Sequence, residues 1–188
     1  MSIKINSLPP DKRGACPQEF SFGGTFTDHM FTQQYDREQG WHSAQISPFH
    51  DFVLHPAAAV LHYGQEIFEG LKAYRRPDGG VNLFRPWENI RRFNSSAERM
   101  VMPKVDEELH LQAIMQLVLL EQAWVPDEQG ASLYIRPTMI ATTPKLGLGA
   151  ASDYLHYVIC GPVGPYFKEG FNPVSVYISE VCRRAVKG

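Results

Sequence analysis

The sequence predicts a mixed fold, α+β or α/β, and three observations predict it. Short apolar runs bounded by turn residues recur before residue 85 and again after residue 131. Two helix-length amphipathic runs lie side by side between them. Most Pro and Gly fall at the boundaries of these runs. The 188 residues are 44% hydrophobic and suit one domain, or one domain and the start of another.

Residues 1–20 are polar and carry Pro9, Pro10 and Pro17, which reads as a loose arm. Phe20 to Val53 mixes aromatics with turn residues and predicts short strands, with Gly40 near a hairpin tip. Gly64 to Phe68 reads as a helical turn. Gly70 to Phe84 is a hairpin around Pro77-Asp78-Gly79-Gly80. Pro86 suits the first position of a helix whose apolar side is Trp87, Ile90, Ala97 and Met100 or Val101, and Pro103 closes it. Asp106 caps a second helix, with Glu107 and Glu108 in its first turn, where the helix dipole favours carboxylates. It runs on through Leu111, Ile114 and Val118 to about Trp124. Ser132 to Ile140 and Tyr154 to Cys160 are strands joined by a Gly- and Ala-rich loop. Residues 161–173 have linker composition, and 174–188 open with one more strand.

Composition excludes several classes of function. A net charge of -2 offers no basic field for nucleic acid or an anionic membrane. Met1 to Arg13 has no apolar core of a signal peptide, and no run approaches the ~20 apolar residues of a membrane span. Three cysteines without short spacing, and histidines outside any HExxH or CxxC pattern, support neither a disulfide framework nor a metal site. A cytoplasmic location is expected.

Read from residues alone, the candidates are few. Arg92 presents a donor fork that fits phosphate, but an i,i+4 pair with Glu88 is the plainer expectation. Tyr134 and Arg136 stand two apart on a strand and share a face, an arrangement suited to a carboxylate. Phe22, Tyr63 and Phe68 lie near glycines and could line a pocket or simply pack in the core. None of the seven lysines has a local setting that marks it for imine chemistry.

The run LHYGQEIFEGLKAYRRPDGGVNLFRPWENIRRF, from Leu61 to Phe93, closely resembles the branched-chain amino-acid aminotransferases, which are fold-type IV enzymes. FGGTFTDHM (Phe22 to Met30), LYIRPT (Leu133 to Thr138) and CGPVGPYF (Cys160 to Phe167) agree with it in order and spacing. The resemblance covers the chain from about Phe20 onward. It implies pyridoxal 5'-phosphate as cofactor, branched-chain amino acids with their 2-oxo acids and glutamate/2-oxoglutarate as substrates, and a homodimer. It implies a small N-terminal domain over 21–160, an interdomain linker over 161–173, and the first strand of a large domain over 174–188. Arg92 matches the arginine that grips the cofactor phosphate. Phe22, Tyr63 and Phe68 match pocket walls, and Tyr134 and Arg136 match residues that orient the substrate. Leu146 matches a residue lent to a neighbouring subunit's pocket. The lysine that forms the imine with the cofactor is expected beyond Gly188. The alternative is a truncated, non-catalytic domain that folds and binds a partner chain or small anions.

Overall fold

The computed structural model describes residues 2–165, 172–179 and 181. Its frame is an eight-stranded sheet: β1 (Lys4–Ile5), β2 (His29–Asp36), β3 (Gly40–Pro48), β4 (Glu66–Phe68), β5 (Leu71–Arg75), β6 (Val81–Leu83), β7 (Ser132–Ala141) and β8 (Tyr154–Val163). The order is β1-β3-β2-β8-β7-β5-β6, with β4 also paired to β7. Every pairing is antiparallel except β1 with β3. Helices α1 (Ala59–Tyr63), α2 (Pro86–Arg99) and α3 (Glu107–Leu120) interrupt the strands. An antiparallel sheet with its helices segregated is the α+β arrangement, which decides between the two expected classes.

The longest strands build the layers by alternation. Leu133 and Ile135 of β7, Val158 and Cys160 of β8, Phe31 of β2 and Ile46 of β3 meet Ile90 of α2 and Leu109, Ile114 and Leu117 of α3 in the main core. The opposite face of β7 and β8 is left open. α3 starts as expected: the Asp106 carboxylate accepts the Leu109 N–H at 2.7 Å. The hairpins over Gly70–Phe84 and around Gly40, with φ +69, also form where the turn residues put them.

Four expectations are corrected. Residues 1–20 are not a loose arm: β1 pairs with β3, a 3-10 turn covers Pro10–Lys12, and the Leu8 N–H donates to His29 Nε2 at 2.8 Å. Gly64 to Phe68 is not helical. Gly64 ends α1 in the left-handed region, φ +58, and β4 follows against β7. The buried stripe of α2 is Ile90, Phe93, Asn94 and Ala97, while Trp87 and Val101 face solvent. Asn94 can be buried because its side chain both donates to and accepts from the Val105 backbone. Finally, β8 runs on to Val163, into the expected linker. Pro162 fits there because β8 pairs with β2 only as far as Val158, so its proline nitrogen faces no strand among the described residues. Val174 to Ser179 belongs to none of the eight strands, and the remainder of the expected linker and strand lies largely outside the described residues.

Candidate active site

Alternation along β7 that sends Leu133 and Ile135 inward sends Tyr134, Arg136 and Thr138 to the open face. There β8 adds Tyr157 and Ile159, and β4 adds Phe68, because Phe68 pairs with Thr138. The segment holding Phe22, Thr25 and Phe26 crosses above them and closes a cleft of about 360 Å³. The sheet register therefore brings Phe68, Tyr134 and Arg136 to one cleft, and the crossing segment adds Phe22.

Arg136 is its centre. The guanidinium lies 4.3 Å from the centroid of the Phe68 ring, and its Nε and Nη2 donate to Tyr134 Oη at 3.2 and 2.8 Å. Phe22 meets Tyr134 edge to face, with centroids 5.3 Å apart. Arg136 is half-buried and forms no ion pair among the described residues. This cation is held by rings and one phenol, and the Glu66 carboxylate lines the same cleft without pairing with it. Burial pushes the Tyr157 phenol up, so it too stays a neutral hydrogen-bonding group on this face.

Two glycines frame the cleft. A Cβ on Gly70 would overlap Tyr134 Oη, and one on Gly161 would overlap the Thr25 carbonyl oxygen. Gly70→Ala is therefore expected to push the Tyr134 ring aside and to cost about 1–3 kcal/mol. Denaturant unfolding of the variant checks the cost, and its crystal structure should show the Tyr134–Arg136 hydrogen bonds broken.

Arg92 lies outside this cleft, on the exposed side of α2. Its expected partner Glu88 instead pairs with Arg85 and Arg91 at 3.3 Å each. Arg92 is gripped by Glu69, which sits between β4 and β5. Nε donates to one carboxylate oxygen and Nη2 to the other, the latter at 2.8 Å. Asn89 Nδ2 and the Gly70 N–H also donate to Glu69, at 3.0 and 3.2 Å. Burial opposes charge on Glu69, but these bonds outweigh it and hold the carboxyl below its ordinary value. A guanidinium has five N–H donors, and Glu69 engages two. The side chain is 69% exposed, so the remaining fork points toward solvent in a fixed orientation.

Tyr63 and Leu146 lie apart from that cleft, beside a second one that Tyr63 lines with Met100 and Lys145, and the Tyr63 hydroxyl donates to the Leu146 carbonyl. Sequence reading missed Glu69, Asn89 and Tyr157. Alternation along β8 could have found Tyr157. Glu69 gave one signal, an acidic residue inside an apolar, Gly-bounded run. Among the described residues no group of three or more His, Cys, Asp or Glu could hold a metal, and no helix is long and apolar enough to cross a membrane.

No family model matches the chain. Individual relatives do. Branched-chain-amino-acid transaminase 1 of Bacillus subtilis is 50% identical over 173 residues, which is 92% of this chain and 49% of that protein. The cytosolic branched-chain-amino-acid aminotransferase of Mus musculus is 49% identical over 173 residues, 92% of this chain and 45% of that protein. The chain thus spans about half the length of the curated relatives it matches. Among solved structures, the branched-chain aminotransferase of Thermoproteus uzoniensis with norvaline aligns with TM-score 0.58 at 20% identity, over 74% of this chain and 43% of that one. The branched-chain amino acid aminotransferase of Thermobaculum terrenum in its PLP-form aligns with TM-score 0.51 at 21% identity, over 70% and 39%. These structures share the fold of an N-terminal part. With sequence identity near one half over nearly all of its own length, the chain is similar to about half of a branched-chain amino-acid aminotransferase.

Proposed function

We propose that the protein transfers amino groups between leucine, isoleucine or valine and 2-oxoglutarate, with pyridoxal phosphate as cofactor. The observation that carries this reading is Arg136, a half-buried guanidinium in no ion pair among the described residues, set among aromatic walls. Such a transaminase must accept an apolar branch in one half-reaction and the second carboxylate of glutamate in the other. Phe22 and Phe68 suit the first, and the Tyr134–Arg136 pair supplies donors for the second.

The residues present also fit the cofactor. The fork of Arg92 left free by Glu69 would hold the phosphate. Pyridoxal phosphate, when bound, supplies the conjugated ring that takes up the electron pair at the substrate's Cα. The chain's own part is to bind and orient. Arg92 fixes one end of the cofactor, Tyr134 and Arg136 orient the substrate, and the aromatic rings keep water from the apolar branch.

In this reading the small domain runs from residue 21 to the end of β8 at Val163, a linker follows up to residue 173, and 174–188 opens a large domain. The lysine for the cofactor lies beyond Gly188. A homodimer in the cytoplasm completes the reading, with Tyr63 buttressing the loop through which Leu146 reaches a neighbouring subunit's pocket.

The test is intact mass of the protein purified from its own cells, after borohydride reduction with pyridoxal phosphate. A mass well above 21.3 kDa, one cofactor fixed to a lysine beyond Gly188, and amino transfer from leucine to 2-oxoglutarate are expected. A 21.3 kDa mass with no cofactor fixed would replace this reading with the non-catalytic domain. Turnover of D-amino acids alone would move it to a different substrate class.

A further inference from the structure

The deepest ionisable pair among the described residues lies away from the cleft. His29 and Glu121 are 0% and 1% exposed, and the His29 Nδ1–H donates to Glu121 Oε1. His29 Nε2 accepts the Leu8 N–H at 2.8 Å, so the ring is neutral with its proton on Nδ1. Glu121 also accepts the Asp28 N–H at 3.2 Å. The Asp28 carboxylate accepts the Gly14 N–H at 2.7 Å and the Trp124 indole N–H at 2.9 Å, and the Cys16 N–H donates to the Ala123 carbonyl at 3.0 Å. Three segments are thus tied together: the arm at Leu8, Gly14 and Cys16, the start of β2 at Asp28 and His29, and the turn after α3 at Glu121 to Trp124.

Burying this pair is costly, and an apolar pair of similar volume would hold the core as well or better. What the polar set adds is geometry. The segment between its two attachment points, Cys16 and Thr27, is the one that roofs the cleft. At the far end the Thr27 N–H donates to the Cys160 carbonyl at 3.0 Å. Between those ends the segment is held mainly by ring contacts: Gly24 N–H donates to the Ser21 carbonyl at 3.2 Å, Phe26 stacks on Phe49 with centroids 5.2 Å apart, and Phe22, itself 69% exposed, rests on Tyr134. With both ends fixed, Phe22 stays on Tyr134, and Tyr134 in turn holds Arg136.

We propose that Asp28, His29, Glu121 and Trp124 form a positioning clasp that fixes the roof segment 17–26, and with it the fit of the cleft to the apolar branch of the substrate. The substrate part of this proposal rests on the transaminase reading. The mechanical part does not.

The experiment is Asp28→Ala in the full-length protein, with Trp124→Phe as a second variant that removes one donor and keeps an aromatic ring in place. Hydrogen exchange across 17–26 and tryptic cleavage after Lys12 and Arg13 are expected to rise about tenfold in Asp28→Ala and less in Trp124→Phe, with exchange in β7 unchanged. KM for leucine is expected to rise about tenfold with kcat within a factor of two. Unchanged exchange and cleavage in both variants would overturn the clasp. Faster exchange with an unchanged KM for leucine would overturn its role in substrate fit. A wild-type protein without transaminase activity would sink the transaminase reading instead, and the exchange and cleavage results would still decide whether the clasp exists.

Discussion

Replacing His110 and His156 together by leucine is expected to raise the unfolding temperature at neutral pH and to remove most of the protein's sensitivity to mild acid. His110, on α3, and His156, on β8, are 2% and 0% exposed. None of their four ring nitrogens has a hydrogen-bond partner among the described residues. The rings meet edge to face with centroids 4.6 Å apart, and Phe93 lies 5.2 and 5.3 Å from them. An N–H over a ring face recovers part of the lost hydrogen bonding, but less than a true acceptor would. Each unsatisfied imidazole therefore costs about 1–3 kcal/mol that leucine would not.

Burial pushes His110 down to about 3, against a weaker opposing pull from Glu69. Burial, and then the neighbouring His110, push His156 well below its ordinary value. The sign follows by linkage. Below the ordinary histidine value of about 6.5, the unfolded chain binds protons that the folded core refuses, so stability is full above that pH and falls as pH drops. Two such groups lose together about 4 kcal/mol between pH 7 and pH 5. The charged group that acts on His110 is Glu69, already engaged by Arg92, and its pull offsets only a minor part of the loss. Urea unfolding at pH 7 and pH 5 measures it. A wild-type protein as stable at pH 5 as at pH 7 would contradict the argument, as would a double leucine variant with the same pH slope as wild type.

The same residues show where sequence reading succeeds and where it stops. Tyr134 and Arg136 were legible because a period of two is all that a shared strand face requires. The Pro-Asp-Gly-Gly hairpin and the Asp106 cap were legible because turn and cap chemistry is local. What failed was long-range. Glu88 is four residues from Arg92 and Glu69 is 23 away, so proximity favoured the wrong carboxylate. Arg91 and Arg92 are both one turn from Glu88, but Glu88 pairs with Arg91 while the buried Glu69 carboxylate engages two nitrogens of Arg92. The arm looked loose because its composition is polar and Pro-rich, while the anchors of Leu8 and Gly14, His29 and Asp28, lie 21 and 14 residues further on. β4 was read as a helical turn because three residues carry too little periodicity to identify a strand.

Glu69→Gln is expected to weaken cofactor binding about a hundredfold, as much as removing the phosphate contact proposed for Arg92. All four bonds to the Glu69 carboxylate come from N–H donors: two from Arg92, one from Asn89 and one from Gly70. An amide in its place sets an NH2 group against at least one of those donors inside a buried site, and neither can turn to water. Arg92 then loses its bidentate anchor, and its side chain, already 69% exposed, returns to the many rotamers of a surface arginine. The phosphate would have to order it again on binding. Titration with pyridoxal phosphate and with unphosphorylated pyridoxal separates this from general damage. Affinity for the first should fall in both Glu69→Gln and Arg92→Ala, and affinity for the second should stay near wild type in both. Equal losses for the two forms would mean that Glu69 supports the fold of the site rather than the grip of Arg92 on phosphate. An unchanged affinity for pyridoxal phosphate in Arg92→Ala would remove Arg92 from the cofactor site altogether.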